Sequence, residues 1–162
     1  MRTDVGIPYW PVKTSSFGPG FLSDGNGPTH QAIEDVSLMR GIPGMTVFAP
    51  ADEADMLAML PAIWASPDPA YVRVNTRPGT YPHAPFEIGK AYKVRTGRDI
   101  TFIGTGTMTY QLLAAADMLS REGIEAEVIH CPTIKPLDET TILTSLRSTG
   151  RALTLEEAQI KG

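Results

Sequence analysis

The chain has 162 residues, 42% of them apolar, which is enough for one ordinary domain or two small ones with packed cores. Fourteen basic and eighteen acidic residues give a formal charge of -4, and no predicted helix carries a Lys and Arg cluster, so we expect no nucleic-acid partner. No apolar run approaches the roughly 20 residues of a membrane helix, and the first residues lack a signal-peptide core, so we expect a cytoplasmic protein without a membrane partner.

The first half of the chain alternates short β-branched or aromatic runs with segments of helical period. Strands are predicted near residues 11–16, 45–49 and 70–74. A Gly-rich stretch, 18–27, separates the first strand from a helix predicted to begin near Thr29 and to end at Gly41. Asp52 is predicted to cap a second helix. Arg73 then places a charge inside an otherwise apolar strand, which requires an explanation.

The composition changes after the third strand to a Pro- and Gly-rich segment with few aliphatic residues, typical of a linker. We therefore predict a first unit at residues 1–76, a linker at 77–89 and a second unit at 90–162. The second unit should hold strands at 99–104, 126–130 and 151–155, with helices beginning near Thr107 and after Asp138.

Alternating strands and helices predict an α/β protein built from two partial, open parallel-sheet units. A doubly wound domain usually needs about five strands, whereas each predicted unit shows about three. The sheet edges and helix faces of such partial units require cover from another chain or segment. We therefore expect a homo- or hetero-oligomer.

The stretch Asp24-Gly25-Asn26-Gly27-Pro28-Thr29-His30 is the most informative part of the sequence. Its glycines allow a ligand to approach the backbone, and a histidine at a helix N-terminus suits a polar or anionic ligand. The alternative is a Gly-rich turn with an incidental histidine. For Arg73, the alternative to a ligand contact is an arginine at a strand end that extends to solvent.

Two further patterns in the sequence predict no additional site. Gly104-Thr105-Gly106-Thr107 follows a strand, but Thr109 replaces the third glycine of a dinucleotide fingerprint, so a nucleotide site is not predicted. Cys131 is the single cysteine and cannot form an internal disulfide. It also neighbours His130 on a strand, where adjacent side chains face opposite ways and cannot form a nucleophile and base pair.

The order of several motifs resembles the transketolase family across nearly the whole chain. The motifs are Gly27-Pro28-Thr29-His30-Gln31, Ile42-Pro43-Gly44-Met45-Thr46-Val47, Pro50-Ala51-Asp52, Thr133-Ile134-Lys135-Pro136-Leu137-Asp138 and Leu153-Thr154-Leu155-Glu156-Glu157. The resemblance implies that 1–76 is the second half of a pyrimidine-binding domain and that 90–162 is the first part of a transketolase C-terminal domain.

The resemblance also implies roles for individual residues. His30 would face the thiazolium and the substrate and would donate or relay a proton, and Arg73 would bind a substrate phosphate through its forked donors. Asn26 stands where most of the family has an aspartate that touches a substrate hydroxyl, which could change substrate preference. Asp24, two residues earlier, could compensate if the loop shifts its register.

The implied cofactor is thiamine diphosphate with Mg²⁺, but its key binding residues have no match in this chain. The family's activating glutamate and the aromatic residues that stack on the pyrimidine lie upstream of the first strand, and another domain holds the diphosphate and metal. We therefore expect a diphosphate-binding domain or subunit as partner, a sugar phosphate as substrate, and no activity by this polypeptide alone.

The leading functional prediction is a fragment or subunit of a transketolase that transfers a two-carbon ketol unit between sugar phosphates. One alternative is a noncatalytic assembly or binding module of the same fold. Another is a protein similar to 1-deoxyxylulose-5-phosphate synthase or to the beta subunit of a 2-oxo acid dehydrogenase. The stretch from Thr133 to Asp138 favours transketolase over these relatives.

Overall fold

Two four-stranded sheets organise the chain in a computed structural model that describes residues 1–21, 24–75, 77–79 and 81–159. The first sheet has the order β1-β3-β2-β7. Its strands are β1 (Lys13–Phe17), β2 (Thr46–Phe48), β3 (Ala70–Val74) and β7 (Thr133–Lys135). The strands β1, β3 and β2 are parallel, whereas β7 pairs antiparallel with β2. The second unit therefore supplies one strand to the sheet of the first.

The second sheet has the order β4-β6-β5-β8. Its strands are β4 (Tyr92–Arg95), β5 (Ile100–Gly104), β6 (Ala126–His130) and β8 (Ala152–Leu155). The strands β6, β5 and β8 are parallel, and β4 is antiparallel to β6. The mixed α/β class predicted from sequence is confirmed, with an antiparallel edge strand added to each parallel core.

In the described part of the chain, four α-helices connect the parallel strands. They are α1 (Asp35–Arg40), α2 (Glu53–Ala65), α3 (Met108–Arg121) and α4 (Glu139–Thr149). The predicted caps of α2 and α4 are confirmed, because the Asp52 side chain accepts from the Asp55 amide at 2.8 Å and Asp138 accepts from the Thr141 amide at 3.1 Å. Among the described residues, no helix has both the length and the apolar character needed to cross a bilayer.

One predicted boundary is wrong, since the helix expected near Thr29 begins at Asp35. Thr29 and His30 lie in a turn instead, where the Thr29 Oγ1 and His30 Nδ1 atoms are 2.9 Å apart. Threonine and other short polar side chains compete for local hydrogen bonds and so favour turns over helix interiors. His30 is therefore carried by a loop and not by a helix N-terminus.

Buried apolar side chains alternate between the two faces of the first sheet, because successive residues of a strand point to opposite faces. Val47 and Tyr71 pack on one face of the first sheet, whereas Phe48 and Val72 pack on the other face against Met59 of α2. A separate core in the second sheet consists of Phe102, Leu112, Ala116, Ala126 and Val128. Each sheet therefore buries an apolar centre of its own.

A buried polar network joins the two units. The carboxylate of Asp52 accepts hydrogen bonds from Tyr110 of α3 and lies 2.7 Å from Nε2 of His83 in the linker segment. The neighbouring Asp55 carboxylate lies 2.9 Å from Nε2 of His130 on β6 and accepts from the Ala51 amide at 2.9 Å. Because these groups are buried, their mutual hydrogen bonds fix the orientation of one unit against the other.

Gly97 marks a point of close backbone approach in the second unit. A Cβ atom at this position would overlap the carbonyl carbon of Ala126 and the amide nitrogen of Glu127. We expect Gly97→Ala to lower the free energy of unfolding by about 3 kcal/mol, because backbone atoms cannot move aside as a side chain could. Urea unfolding followed by circular dichroism measures this change.

Gly41→Ala is the matched control for Gly97→Ala. A Cβ atom at Gly41 would meet backbone oxygens at the ordinary contact distances of 3.5 and 3.6 Å. The φ angle of Gly41 is -71°, which any residue adopts. Equal unfolding free energies for the two variants would contradict the overlap derived for Gly97.

Candidate functional site

The carboxyl edge of the first sheet is where the loops most relevant to binding meet. Strands β1 and β3 end side by side, since Phe17 pairs with Val74 and the Gly18 amide donates to the Val74 carbonyl at 3.0 Å. The segment 18–34 follows β1, and the linker segment follows β3. Ligands of open α/β sheets bind outside the carboxyl ends of the strands. The topology therefore places the candidate site at this edge.

Asn26 and His30 are both exposed on the segment that follows β1. Gly27 lies between them with a φ of +73°, and a Cβ atom there would meet nothing within 4 Å. This space lets a ligand approach the backbone closely. The side chain of Asp24 lies outside the described part of the chain, so its predicted compensation for Asn26 stays a prediction.

The Thr29 hydroxyl controls which ring nitrogen of His30 can act on a ligand. When the hydroxyl donates to Nδ1, the imidazole carries its proton on Nε2, which is then the atom that donates to a ligand. In this tautomer the imidazole can give a proton to a developing alkoxide, and in the other tautomer, where Nδ1–H donates to the Thr29 hydroxyl, Nε2 can take one from a hydroxyl. The geometry therefore suits the proton transfer predicted for His30.

The structure places Arg73 at the base of the same segment, with only 3% of its surface exposed. Its Nε atom donates to Asp35 Oδ2 at 2.8 Å, and Nη2 donates to the carbonyl of Glu157 at 3.1 Å. Burial together with the hydrogen bond to Asp35 raises the pKa of Tyr71 above its ordinary value, so Tyr71 remains a donor to that carboxylate. The alternative of a solvent-exposed Arg73 is wrong, and its phosphate-binding role stays a prediction.

Arg77 is a second candidate that the sequence reasoning missed. Its guanidinium lies over the Tyr110 ring, 4.2 Å from the centroid, and its carbonyl accepts from the Glu53 amide at 3.0 Å. The buried Nε of Arg77 has no hydrogen-bond partner within the part of the chain that the structure describes. An arginine three residues after the end of a strand, at the carboxyl edge, is the signal that could have identified it.

The remaining titratable groups of the second unit serve structure. His130 is held between Thr109, 2.7 Å from Nδ1, and Asp55. Burial, with a smaller effect of Asp138, raises the pKa of the Cys131 thiol to about 12, which leaves it protonated and poorly nucleophilic. The amide of Gly106 donates to the Ala49 carbonyl at 3.0 Å, so the first unit lies against the loop once considered for a nucleotide.

No group of three or more His, Cys, Asp or Glu side chains arranged to hold a metal ion occurs among residues 1–21, 24–75, 77–79 and 81–159. What the edge offers is an exposed imidazole, an exposed amide and two arginines at different depths. This set can bind hydroxyl and anionic groups and can move a proton.

Comparisons with known proteins agree with this arrangement. Residues 6–79 match the transketolase pyrimidine-binding domain, and residues 89–162 match the transketolase C-terminal domain. A 6-deoxy-6-sulfo-D-fructose transketolase subunit of Clostridium sp. (strain MSTE9) is 42% identical over 93% of this chain and 48% of its own length. A 1-deoxy-D-xylulose-5-phosphate synthase of Desulfotalea psychrophila is 36% identical over 95% of this chain and 25% of its own.

Solved structures give the same result at the level of the fold. A split-gene transketolase, described as an inactive β4 tetramer, superposes with a TM-score of 0.87 at 36% identity, over 97% of this chain and 51% of that one. A transketolase of Pichia stipitis superposes at 0.73 with 22% identity, which shows the fold alone. The chain spans about half the length of the transketolase subunits it matches. From the two matched domains, in this order, we conclude that the chain belongs to the transketolase family.

Proposed function

We propose that this chain is one part of a thiamine-diphosphate-dependent transketolase that moves a two-carbon ketol unit between sugar phosphates. The observation that carries the proposal is the exposed pair Asn26 and His30, which lies at the carboxyl edge of a sheet matched to a pyrimidine-binding domain. When bound, the cofactor supplies the stabilised carbanion that this chemistry needs. The chain itself supplies side chains that orient the sugar and handle its protons.

His30 is the proposed proton donor and acceptor for the hydroxyl and carbonyl oxygens of the sugar. Asn26 is proposed to hydrogen-bond a sugar hydroxyl, and its amide can donate as well as accept. Arg77 is the better placed of the two arginines for an anionic group, since the Arg73 guanidinium already pairs with Asp35. Arg73 is then proposed to support the site from below, with any phosphate contact depending on a change in that ion pair.

The diphosphate and its metal are proposed to bind a partner domain or subunit, because the described residues of this chain do not fit them. Half of the length of the transketolase relatives has no counterpart here, which is room enough for further domains. The proposed site is therefore shared, with this chain forming one side. A homo- or hetero-oligomer in the cytoplasm is part of the same proposal.

Two other functions have a specific observation in their favour. Several 1-deoxy-D-xylulose-5-phosphate synthases match at 33–39% identity, with one from Trichormus variabilis at 39% over 98% of this chain. The split-gene relative is described as inactive in its β4 form, which favours a module that acts only within a larger assembly. A transfer assay with ketose phosphate donors, against pyruvate as donor, separates the first alternative from transketolase.

Calorimetric titration of thiamine diphosphate and Mg²⁺ tests the shared site. We expect no measurable heat of binding to this chain alone, because the proposal assigns the diphosphate and its metal to a partner domain or subunit. Saturable heat should appear when the chain is titrated in complex with a diphosphate-binding subunit from the same organism.

Two results would contradict the proposal, the first against the shared site and the second against ketol transfer. One is tight binding of the cofactor by the isolated chain. The other is a stable complex with the diphosphate-binding subunit that binds cofactor but transfers no ketol unit from any ketose phosphate.

A further inference from the structure

The end of the second unit lies directly on the segment of the first unit that carries Asn26 and His30. We propose that Glu157 is a positioning residue, which fixes both ends of the segment 18–34 and so sets the conformation of the proposed substrate loop. This inference rests on the proposed function for its catalytic consequence. The contacts themselves are independent of it.

The first end of the segment is held by the Glu157 side chain. The Phe21 amide donates to Glu157 Oε1 at 2.6 Å, and Glu157 is only 6% exposed. Gly20, with a φ of +78°, leaves room for this carboxylate, because a Cβ atom at Gly20 would overlap the Glu157 side chain. A buried hydrogen bond from an amide to a carboxylate is stronger than a neutral one. The loop therefore has a defined start beyond β1.

The other end of the segment is held by backbone groups of Glu157 and Gln159. The Arg73 guanidinium bridges the Glu157 carbonyl at 3.1 Å and the Ala32 carbonyl at 3.4 Å. The Gln159 amide donates to the Ile33 carbonyl at 3.2 Å. The two ends are also joined to each other, since the Gly20 amide donates to Ala32 at 2.7 Å. The loop is consequently closed at its base, with its tip exposed.

One carboxylate oxygen of Glu157 has no hydrogen-bond partner among the described residues, which argues that Glu157 does more than stabilise the fold. Its Oε2 atom is buried and has no hydrogen-bond partner within the described parts of the chain. Leaving a buried carboxylate oxygen without a partner costs free energy, so an apolar side chain would serve packing at least as well. What an apolar side chain cannot do is accept from the Phe21 amide. The presence of a carboxylate here is thus explained by the position it gives to the loop.

Through Glu157, the second unit therefore helps to position the loop of a site that lies in the first unit. Because Glu157 follows β8, any displacement of the second sheet is passed to the base of the loop that bears His30. Arg73 links the two units in the same arrangement, because its guanidinium donates to Asp35, Ala32 and Glu157.

Hydrogen exchange on the full chain tests the contact without requiring catalysis. In Glu157→Ala, we expect the amides of 18–21 and of Gln159, which donate the hydrogen bonds at the base of the segment, to exchange at least about tenfold faster than in the wild type. Glu157→Gln should stay within about threefold, because an amide oxygen still accepts from Phe21. Glu156→Ala is the matched control, since Glu156 is adjacent but exposed, and it should leave the exchange unchanged.

Gly20→Ala provides an independent variant in case Glu157→Ala folds poorly. Its Cβ atom would displace the Glu157 carboxylate and should speed exchange over the same segments. In the Glu157→Ala background this overlap is gone, so Gly20→Ala should add less than it does alone. Fully additive effects, or exchange in Glu157→Ala equal to that in Glu156→Ala, would overturn the proposed contact.

Steady-state kinetics in the complex with the diphosphate-binding subunit test the positioning role. We expect Glu157→Ala to raise KM for a ketose phosphate about tenfold, with recovery toward wild type in Glu157→Gln. A loosened segment with KM and kcat unchanged would overturn the positioning role. A wild-type complex without ketol transfer would instead refute the proposed function, while the exchange experiment still decides whether Glu157 holds the loop.

Discussion

Replacing His30 by alanine should lower kcat of the complex with the diphosphate-binding subunit by about 10²–10⁴-fold, the usual contribution of a positioned proton-transfer group. The reason is that His30 is the exposed imidazole on the loop at the carboxyl edge, with Nδ1 beside the Thr29 hydroxyl. Initial rates of ketol transfer, measured at saturating cofactor and ketose phosphate, give the effect.

The fold provides a clear control for this result. Because the His30 side chain is exposed, its loss should change the free energy of unfolding by no more than a neutral surface substitution does, about ±0.5 kcal/mol. Arg98→Ala is the matched surface variant, since the Arg98 side chain is 81% exposed in the second unit, and it should leave both rate and stability unchanged. A His30→Ala variant with wild-type turnover would remove His30 from the proposed site.

Replacing Asp52 by alanine should have the largest effect on stability, a loss of about 3–5 kcal/mol in the free energy of unfolding. The substitution removes the N-cap of α2 and the carboxylate that Tyr110 and His83 contact at the junction of the two units. Buried donors that lose their acceptor carry the full cost of desolvation. Chemical denaturation at neutral pH measures the loss.

Asp138→Ala is the matched control, because Asp138 caps α4 in the same manner but bonds no residue of the first unit. We expect Asp138→Ala to lower the free energy of unfolding by less than Asp52→Ala does. The difference is the contribution of the hydrogen bonds between the two units. Equal losses would mean that the network between the units contributes nothing beyond a helix cap.

The Asp52 effect should also depend on pH. Burial raises the pKa of the Asp52 carboxyl, but hydrogen bonds from Tyr110, the Asp55 amide and His83 outweigh burial, so the pKa lies below its ordinary value. A carboxyl with a lowered pKa in the folded state stabilises the fold above its unfolded pKa of about 3.9 and loses that contribution as pH falls through the folded pKa. The stability gap between wild type and Asp52→Ala should therefore narrow below about pH 4.

Local signals predicted most of the regular structure. The strands β3 and β6 have the predicted limits, and the caps at Asp52 and Asp138 are where the sequence placed them. These elements are decided by short-range patterns, which are apolar runs for buried strands and an aspartate before an amphipathic helix. The α/β class followed from their alternation.

What the sequence did not predict depends on partners far along the chain. Strand β7 is three residues long and forms only because β2 of the other unit offers a free edge. The start of α1 was placed too early, because Asp35 is held by Arg73 and Tyr71, 38 and 36 residues away. Local propensity cannot report such distant contacts.

The candidate site shows the same division. A histidine in a Gly-rich stretch was visible as a pattern, and its exposure fits a role in binding. The depth of Arg73, the stacking of Arg77 on Tyr110 and the contact of Glu157 with Phe21 all join residues from different elements. A linear pattern carries no information about these distances, so the supporting residues of the loop became visible only in three dimensions.

The antiparallel strand β7 has a consequence for how such chains can be rearranged. A genetic crossover within the segment between the two units would deliver the first sheet without Thr133–Lys135, and Val47 and Phe48 would lose their neighbours on that side. A bare edge of this kind invites pairing with foreign strands. A recombined first half therefore requires a new second half that brings a strand matching β2.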